Sequence, residues 1–381
     1  MFMSFIEKNY LARHMHFPMK KGLLCLSLLT AALLPASAQF TLQGNDTTKS
    51  RLTLEGYVDA YFAYDLSGPG DDRMYFVSHA RHKEFNVNLA YLSLKYSSER
   101  ARAVFTPGFG TYMSSNYAAE PGTVRNLVEA YAGVKLFKKK DIWIDAGVMA
   151  SPFTNEMTIS YDQLLLTRSL APEFVPYYLS GAKLTLPLDS QLTLYLYAVN
   201  GWQQIYDQNE TPSAIAQFEY KPSDEVTINL NGYYGDERSP AFPDYRDRMF
   251  FDVYVLYNPS ERWNFSVSGY MGKQEARSGN ALVMSSWWQA NAQMRYAFSK
   301  RHSLAFRGEY FSDPGEVMAF SPVIGFDCGS ASLGYNLAFA EKALFRIEGR
   351  YFHSSDRVFR TENAFVQNYN FVLTAGLAAK F

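Results

Sequence analysis

The last eleven residues of the chain, 371–381, alternate strictly between two kinds of side chain. One parity is wholly apolar and runs from Phe371 to Phe381, whereas the other carries Thr374 and Lys380. This repeat of two predicts a β-strand with one apolar face. Such a strand, ending on an aromatic residue, is typical of the closing strand of a membrane barrel, which pairs with the first strand and faces lipid. We therefore expect an all-β, transmembrane, antiparallel up-and-down barrel, with Phe381 as a candidate assembly signal.

The composition fits strands distributed over a whole barrel. Hydrophobic residues make up 48% of the 381 residues and aromatic residues 16%. Beyond residue 38, no uninterrupted apolar run is long enough to cross a membrane as a helix. The apolar residues are therefore spread by alternation, as on lipid-facing strands. A soluble all-β protein shares this alternation and stays open as an alternative. The formal net charge of −1 indicates no bulk field that would attract nucleic acid.

The N-terminal region has the features of an export signal. Two lysines at 20–21 precede an apolar run at 23–34, and small residues follow, so we expect cleavage between Ala38 and Gln39. The charged residues before Met19 are unusual for a leader, which makes Met19 an alternative start. The predicted domains are a signal peptide at 1–38, a short periplasmic segment at 39–50 and a transmembrane barrel at 51–381.

From residue 51 onward one unit repeats: an alternating run, a long loop, another run and a short polar turn. Membrane barrels have this asymmetry, with short periplasmic turns and longer outer loops. We count about sixteen runs, an even number that places both termini on the periplasmic side and leaves room for an aqueous channel. Long loops are expected at 235–246 and 273–285, among others, and a bulge at 327–329. The runs are 51–65, 84–96, 101–112, 125–137, 141–150, 176–187, 191–200, 213–220, 225–234, 247–257, 262–272, 286–298, 302–312, 323–339, 343–353 and 365–381.

Parity also predicts which side chains face the interior. In the first run Leu52 begins the outward, apolar parity, and in the fifth run Val148 belongs to it. An Arg or Lys facing lipid at mid-membrane costs ~2–4 kcal/mol, so the charged residues are expected to point inward. The two signs nearly balance, which predicts either a transverse field or cross-strand pairs that stabilise the wall. The predicted pore-lining residues are Glu55, Asp59, Arg102, Glu129, Lys135, Asp145, Lys183, Glu219, Asp252, Arg295, Arg307, Glu309, Arg346, Glu348 and Arg350.

The connection at 151–175 is the candidate constriction loop. It is long and combines charged residues with an apolar stretch at 164–166. Barrels that conduct solutes often fold one loop inward, where the loop and the wall together set selectivity. The alternative is a helical cap over the barrel mouth. The predicted constriction residues are Glu156, Tyr161, Asp162, Arg168 and Glu173.

Several stretches resemble the OmpL-like β-barrel porins of Gram-negative outer membranes, with features of the Bacteroidetes type. The similarity is strongest over 50–205 and becomes a general barrel pattern after that. The resemblance implies an outer-membrane porin or porin-like channel, and it brings no catalytic residues and no particular substrate. The stretches are 56–66 (GYVDAYFAYDL), 85–96 (FNVNLAYLSLKY), 126–136 (NLVEAYAGVKL), 145–156 (DAGVMASPFTNE), 167–170 (TRSL), 176–183 (PYYLSGAK) and 199–203 (VNGWQ).

Motifs that could carry chemistry are few and weak. His79 and His82 have a loose zinc-ligand spacing, but a solvated basic loop is the default interpretation. Ser78 beside His79 does not make a triad, because the sequence places no acid near them. Trp287 and Trp288 are interpreted as wall and interfacial belt. We expect no enzyme, no metal site and no cofactor. A sugar-binding row of luminal tyrosines is a further hypothesis, with Tyr57, Tyr61, Tyr195 and Tyr197 as its members.

The sequence thus favours an outer-membrane porin, a passive diffusion channel for small hydrophilic solutes. The alternative is a surface-exposed barrel with a closed lumen that acts as an adhesin or partner-binding protein, using long loops such as 66–83. The expected partners are membrane lipid and lipopolysaccharide, the barrel assembly machinery, the solutes and, in an oligomer, further copies of the chain. Nucleic acid is not expected.

Overall fold

A computed structural model describes residues 40–43, 50–70, 72–323, 325–361 and 366–381. The predicted signal peptide and its cleavage position between Ala38 and Gln39 lie outside these residues. A short strand at Phe40–Gln43 pairs antiparallel with the beginning of the next strand. Among the described residues, no helix combines the length and the apolar character needed to cross a membrane.

Sixteen antiparallel strands form the wall, and in most of them apolar and polar residues alternate. Because the repeat of two puts one kind of side chain on each face, each strand can present an apolar surface outward and a polar one inward. The strands are β1 (Arg51–Asp65), β2 (Phe85–Ser97), β3 (Ala101–Phe109), β4 (Leu127–Lys135), β5 (Trp143–Ala150), β6 (Tyr178–Pro187), β7 (Leu192–Val199), β8 (Ser213–Ser223), β9 (Val226–Asp236), β10 (Tyr245–Tyr257), β11 (Trp263–Ser278), β12 (Ala281–Ala297), β13 (His302–Asp313), β14 (Phe326–Ala340), β15 (Ala343–Ser354) and β16 (Tyr369–Lys380).

The last strand closes the barrel on the first. In the ladder between β16 and β1, Val372 pairs with Asp65 and Lys380 pairs with Tyr57. Every other strand pairs with its neighbours in the sequence. Closure pairs the two edge strands with each other. Their backbone N–H and C=O groups would otherwise have no hydrogen-bond partners in lipid. The predicted fold class and the number of strands are confirmed.

Exposure follows the parity of the strands. In β1, Val58 is exposed whereas the adjacent Asp59 is fully buried. In β15, Ile347 is exposed whereas Glu348 is buried. Val148 in β5 is an exception: it was predicted to face outward but is buried in a cluster with tyrosines, next to Gly147, where the backbone has φ +133°. The positive φ turns the strand at this point, which sequence parity does not register.

The connection between β11 and β12 is not the predicted long loop at 273–285. Residues 273–278 continue β11, and residues 281–286 begin β12 in the same ladder. Gly279, with φ +62°, and Asn280 form the turn. Residues 273–278 have no apolar face, so their sequence resembles that of a loop. A hairpin that extends beyond the lipid does not need an apolar face.

Two further boundaries differ from the prediction. The ladders are continuous at 327–329, where a bulge was predicted, and the irregularity in β14 lies between Ala338 and Ala340. The run predicted at 101–112 ends earlier, because a helix, α1 (Thr111–Asn116), follows Gly110 with its φ of +130°. The remaining helical elements of the described residues are short turns at Gly122–Asn126, Ser160–Asp162 and Leu170–Glu173, and a small hairpin joins Phe359–Arg360 to Val366–Gln367.

Candidate pore and inward loop

The connection between β5 and β6, residues 151–177, folds into the barrel and is called here the inward loop. Near its beginning, the backbone N–H of Thr154 donates to the Asp252 carboxylate in β10 at 3.0 Å. Further along, the Tyr161 hydroxyl donates to the carbonyl of Glu341 at 2.8 Å. Glu341 lies in the short turn between β14 and β15. The loop therefore runs down the lumen from the end with the long connections to the end with the short turns, and it does not form a cap over the mouth.

Arg346 in β15 holds the lowest part of the inward loop. Its guanidinium donates to four loop carbonyls: those of Ser160 at 2.7 Å, Leu165 at 2.6 Å, Tyr161 at 2.9 Å and Gln163 at 3.1 Å. Backbone carbonyls enclosed in a lumen need partners, and arginine offers five N–H donors in one plane. Only 3% of Arg346 is exposed, so its side chain is enclosed by the loop and does not extend into open solvent.

Arg307 and Glu348 hold the returning half of the loop through one residue, Thr167. Glu348 accepts from the Thr167 backbone N–H at 2.7 Å and from its hydroxyl at 2.8 Å. Arg307 donates to the Thr167 carbonyl at 2.7 Å and to Glu348 at 2.8 Å. The two buried charges thus compensate each other, and both bind the backbone of the same loop residue.

A second pair on the same wall repeats this arrangement one level higher. Arg350 in β15 donates to the Arg168 carbonyl at 2.7 Å, and Glu309 in β13 accepts the Leu170 N–H at 2.5 Å. Arg350 also donates directly to Glu309. The walls of β13 and β15 therefore fix the inward loop along most of its return path.

Carboxylates of the loop itself are also buried. Glu156 accepts the Ser169 N–H at 3.0 Å and lies 3.7 Å from Arg307. Glu173 accepts the backbone N–H of Val77, in the connection between β1 and β2, at 2.8 Å. Burial raises the pKa of both carboxyls above the ordinary value, and a nearby arginine opposes each shift.

The other predicted constriction residues lie at different heights. Arg168 lies 3.5 Å from Glu173 and stacks over the Tyr177 ring, with 4.1 Å to its centroid. Asp162 pairs with Lys380 at 2.5 Å near the short-turn end, where both side chains are partly exposed. The predicted residues therefore share one loop but do not form a ring at a single level.

Asp59 in β1 joins two connections that are far apart in the sequence. Its carboxylate lies 3.1 Å from the His79 Nε2 and accepts from Asn88 at 3.0 Å and from the Ser160 hydroxyl at 2.9 Å. His79 and His82 are both buried, so a solvated basic loop is the wrong description of this segment. Among the described residues, no group of three or more His, Cys, Asp and Glu side chains is arranged to hold a metal ion. No local motif could have predicted these contacts of Asp59, because its partners lie at distant positions in the sequence.

Near the short-turn end, the wall charges form pairs with one another. Arg102 in β3 donates to both oxygens of Asp145 in β5 at 2.6 Å, and Lys183 in β6 lies 3.6 Å from the same carboxylate. Such pairs are the wall-stabilising arrangement rather than opposed rows across the lumen. The others are Glu55 with Lys95 at 2.6 Å, Lys135 with Asp141 at 2.9 Å, Glu219 with Lys221 at 2.9 Å, and Arg295 with the Asn264 side chain at 2.9 Å.

The outer part of the lumen contains an aromatic cluster that the sequence analysis missed. Trp202, from the connection between β7 and β8, lies 5.0 Å from both Tyr233 and Phe250 and 6.3 Å from Trp287, measured between ring centroids. Phe153 of the inward loop lies 5.1 Å from Phe250. The inward parity of Tyr233, Phe250 and Trp287 was visible in their strands, but only the fold shows that loops fill the space between them.

Two adjoining cavities lie between the inward loop and the first strands of the barrel. One, of about 380 Å³, is at the short-turn end and is lined in part by Glu55, Asp162, Lys380 and Phe381. The other, of about 330 Å³, lies higher, between the first half of the loop and β2–β4. Both are lined by Tyr91, Lys95 and Ile159, so they adjoin each other along the wall.

A closed antiparallel barrel with an apolar outer face, charged inner strands and a loop folded into its lumen is an outer-membrane β-barrel of the channel-forming class. The sequence profile of a family described as "Putative beta-barrel porin-2, OmpL-like" matches residues 51–381, and the chain belongs to this family. It is therefore an outer-membrane porin, a passive channel.

Solved structures share the fold at low identity. The outer membrane channel DcaP of Acinetobacter baumannii is 12% identical with a TM-score of 0.58, covering 87% of this chain and 97% of that one. The anion-selective porin from Comamonas acidovorans is 10% identical with a TM-score of 0.57, covering 87% and 100%. A trimer form of OmpT from Vibrio cholerae is 11% identical with a TM-score of 0.55, covering 87% and 99%. No curated protein sequence matches the chain.

Proposed function

We propose that this porin conducts small hydrophilic solutes along the space between the inward loop and the wall of β1–β4. The observation that carries the proposal is the pair of adjoining cavities beside the loop. Together they extend from the short-turn end, next to Lys380, to Thr106 and Glu129 within the barrel. On this route Glu55 and Glu129 line the passage, whereas Arg307, Arg346 and their partners serve as anchors of the loop.

We propose further that the channel is gated at its outer end. The aromatic cluster around Trp202 occupies the outer lumen, and apolar constrictions can gate a channel by excluding water. Solute passage then requires Trp202 and its connection to move away from Phe250 and Trp287. The inward loop itself is bound to the wall through Arg346 and Thr167 and is the more fixed of the two obstacles.

The direct test is conductance. Purified, folded protein in planar bilayers is expected to give stepwise currents, and vesicles containing it are expected to swell in small sugars. Folded protein that gives neither current nor swelling would contradict the proposal.

A second function is favoured by the same aromatic cluster. If the outer lumen stays closed, the long connections above it become a binding surface for a partner, as in an adhesin. Loop-dependent binding to cells or to an extracellular ligand, without vesicle swelling, is the result that this alternative predicts. Swelling without such binding supports the channel.

The remaining features of the proposal concern assembly. We expect removal of residues 1–38 on export, a periplasmic location for 39–50 and insertion by the barrel assembly machinery, with Phe381 as part of the signal. Membrane lipid and lipopolysaccharide would contact the exposed apolar face. OmpT of Vibrio cholerae, which shares the fold, occurs in a trimer form, and we expect a homotrimer of this chain, which cross-linking in native membranes would test.

A further inference from the structure

We propose that the cavity between the inward loop and β2–β4 binds a small organic cation, such as an alkyl or aryl ammonium group, with Glu129 as its counter-charge. The inference deepens the proposed transport route and rests on it for its role in transport. The cavity, of about 330 Å³, is at the lower end of the ~300–1,000 Å³ that small-molecule sites occupy.

The backbone aims Glu129 into this space. The ladder between β3 and β4 pairs Thr106 with Glu129 and then Pro107 with Leu127, which leaves Val128 as an extra residue. A bulge of this kind bends the strand and redirects side chains. Val128 and Glu129, although adjacent, consequently both line the cavity.

Glu129 is the charge in the cavity that lacks a salt-bridge partner among the described residues. The cavity is also lined by Lys95 and Glu156. The Lys95 ammonium lies 2.6 Å from the Glu55 carboxylate, and the Glu156 carboxylate is bound by Ser169 and lies 3.7 Å from Arg307. The net charge left in this enclosed, partly apolar space is therefore negative, and a cation would be stabilised there more than in open water.

The other walls suit a cation that carries carbon. Tyr91 and Tyr254 present aromatic rings, and Met157 and Ile159 of the loop add apolar surface. An ammonium group within about 6 Å of an aromatic ring is attracted by the ring's quadrupole. A carboxylate with aromatic neighbours therefore favours alkyl or aryl ammonium solutes over simple anions and over neutral sugars.

The test is direct binding of phenyltrimethylammonium to the folded full-length barrel in detergent, measured by calorimetry, together with the reversal potential in a KCl gradient. Wild-type protein is expected to bind the probe and to prefer potassium over chloride. Glu129→Gln, which keeps the shape, is expected to weaken binding about tenfold or more and to move the reversal potential toward zero. Glu225→Gln, in the exposed turn between β8 and β9, is the matched control and is expected to change neither quantity.

The ring contribution is tested at Tyr254. Tyr254→Phe is expected to retain probe binding and Tyr254→Leu to weaken it, because only the second change removes the ring. A folded wild-type protein that does not bind the probe, or a Glu129→Gln variant that binds it equally well, overturns the inference. Silent bilayers with normal, Glu129-dependent binding would instead contradict the transport route and leave the cation site standing.

Discussion

The hydroxyl of Tyr161 donates to the backbone carbonyl of Glu341 at 2.8 Å. One residue belongs to a connection that enters from the outer end of the barrel, and the other to a short turn at the opposite end. This contact shows that the inward loop spans the height of the lumen. The loop therefore divides the interior along its length. The two adjoining cavities lie on its β1–β4 side, and a cavity of about 470 Å³ lies beside Arg346 on the other side.

Replacing Tyr161 with Phe tests how tightly the tip of the loop is held. The change removes one hydrogen bond, worth about 1 kcal/mol, and keeps the ring. We expect about fivefold more time in higher-conductance states in single-channel recordings, with little change in the melting temperature. Identical open-state occupancy would show that the tip contact does not limit the loop.

Arg346→Ala should have a larger effect. Four loop carbonyls lose their donor at once, and hydrogen bonds to a charged group contribute about 1.5–3 kcal/mol each. We expect a loosened loop and a clear rise in single-channel conductance, with intermediate values for Arg346→Lys, which keeps fewer donors. Arg262→Ala, in the exposed turn before β11, is the control for loss of an arginine. Unchanged conductance in folded Arg346→Ala protein would remove Arg346 from the description of the pore.

Trp202→Ala tests the outer aromatic cluster. Removing the ring that lies among Tyr233, Phe250 and Trp287 opens space in the outer lumen, so small sugars are expected to enter vesicles faster, by severalfold. Trp288→Ala is the matched control. Trp288 follows Trp287 in β12, but its side chain lies on the outer face of the barrel and is 46% exposed. Equal swelling rates for Trp202→Ala and wild type would argue against a gate at this cluster.

The closing strand can be tested from both partners of one contact. Gly56 and Phe381 exchange backbone hydrogen bonds at 2.8 and 3.0 Å, and a side chain at Gly56 would meet the Phe381 ring at 2.1 Å. Deletion of Phe381 and Gly56→Ala are both expected to lower the amount of heat-modifiable, folded barrel in the outer membrane. They should change conductance per folded molecule much less.

Gly308→Ala serves as the control for Gly56→Ala, because a methyl group at Gly308 meets no atom within 4 Å. If the Phe381 deletion inserts at wild-type levels, its proposed role in assembly is wrong.

Much of the fold is predictable because a barrel in lipid leaves few choices. The alternation seen in 371–381 recurs along the chain, and a lipid-facing charge is costly enough to sort Val58 from Asp59 reliably. The predictions were wrong where lipid imposes no pattern. The hairpin beyond Lys273 was predicted as a loop, and Val148 was predicted to face outward although the φ of Gly147 turns the strand.

The site was predictable only in part. The sequence by itself determined a barrel of about sixteen strands, an inward set of charged residues and a long connection at 151–175, because these follow from period, parity and length. Only the tertiary structure decided that Arg346 and Thr167 fix this loop and that His79 meets Asp59. It also placed Glu129 beside a cavity, without a salt-bridge partner in the part of the chain that the structure describes. The physical reason is that each of these contacts depends on which side chains come together in the lumen. Barrel closure brings together residues that are far apart in the sequence.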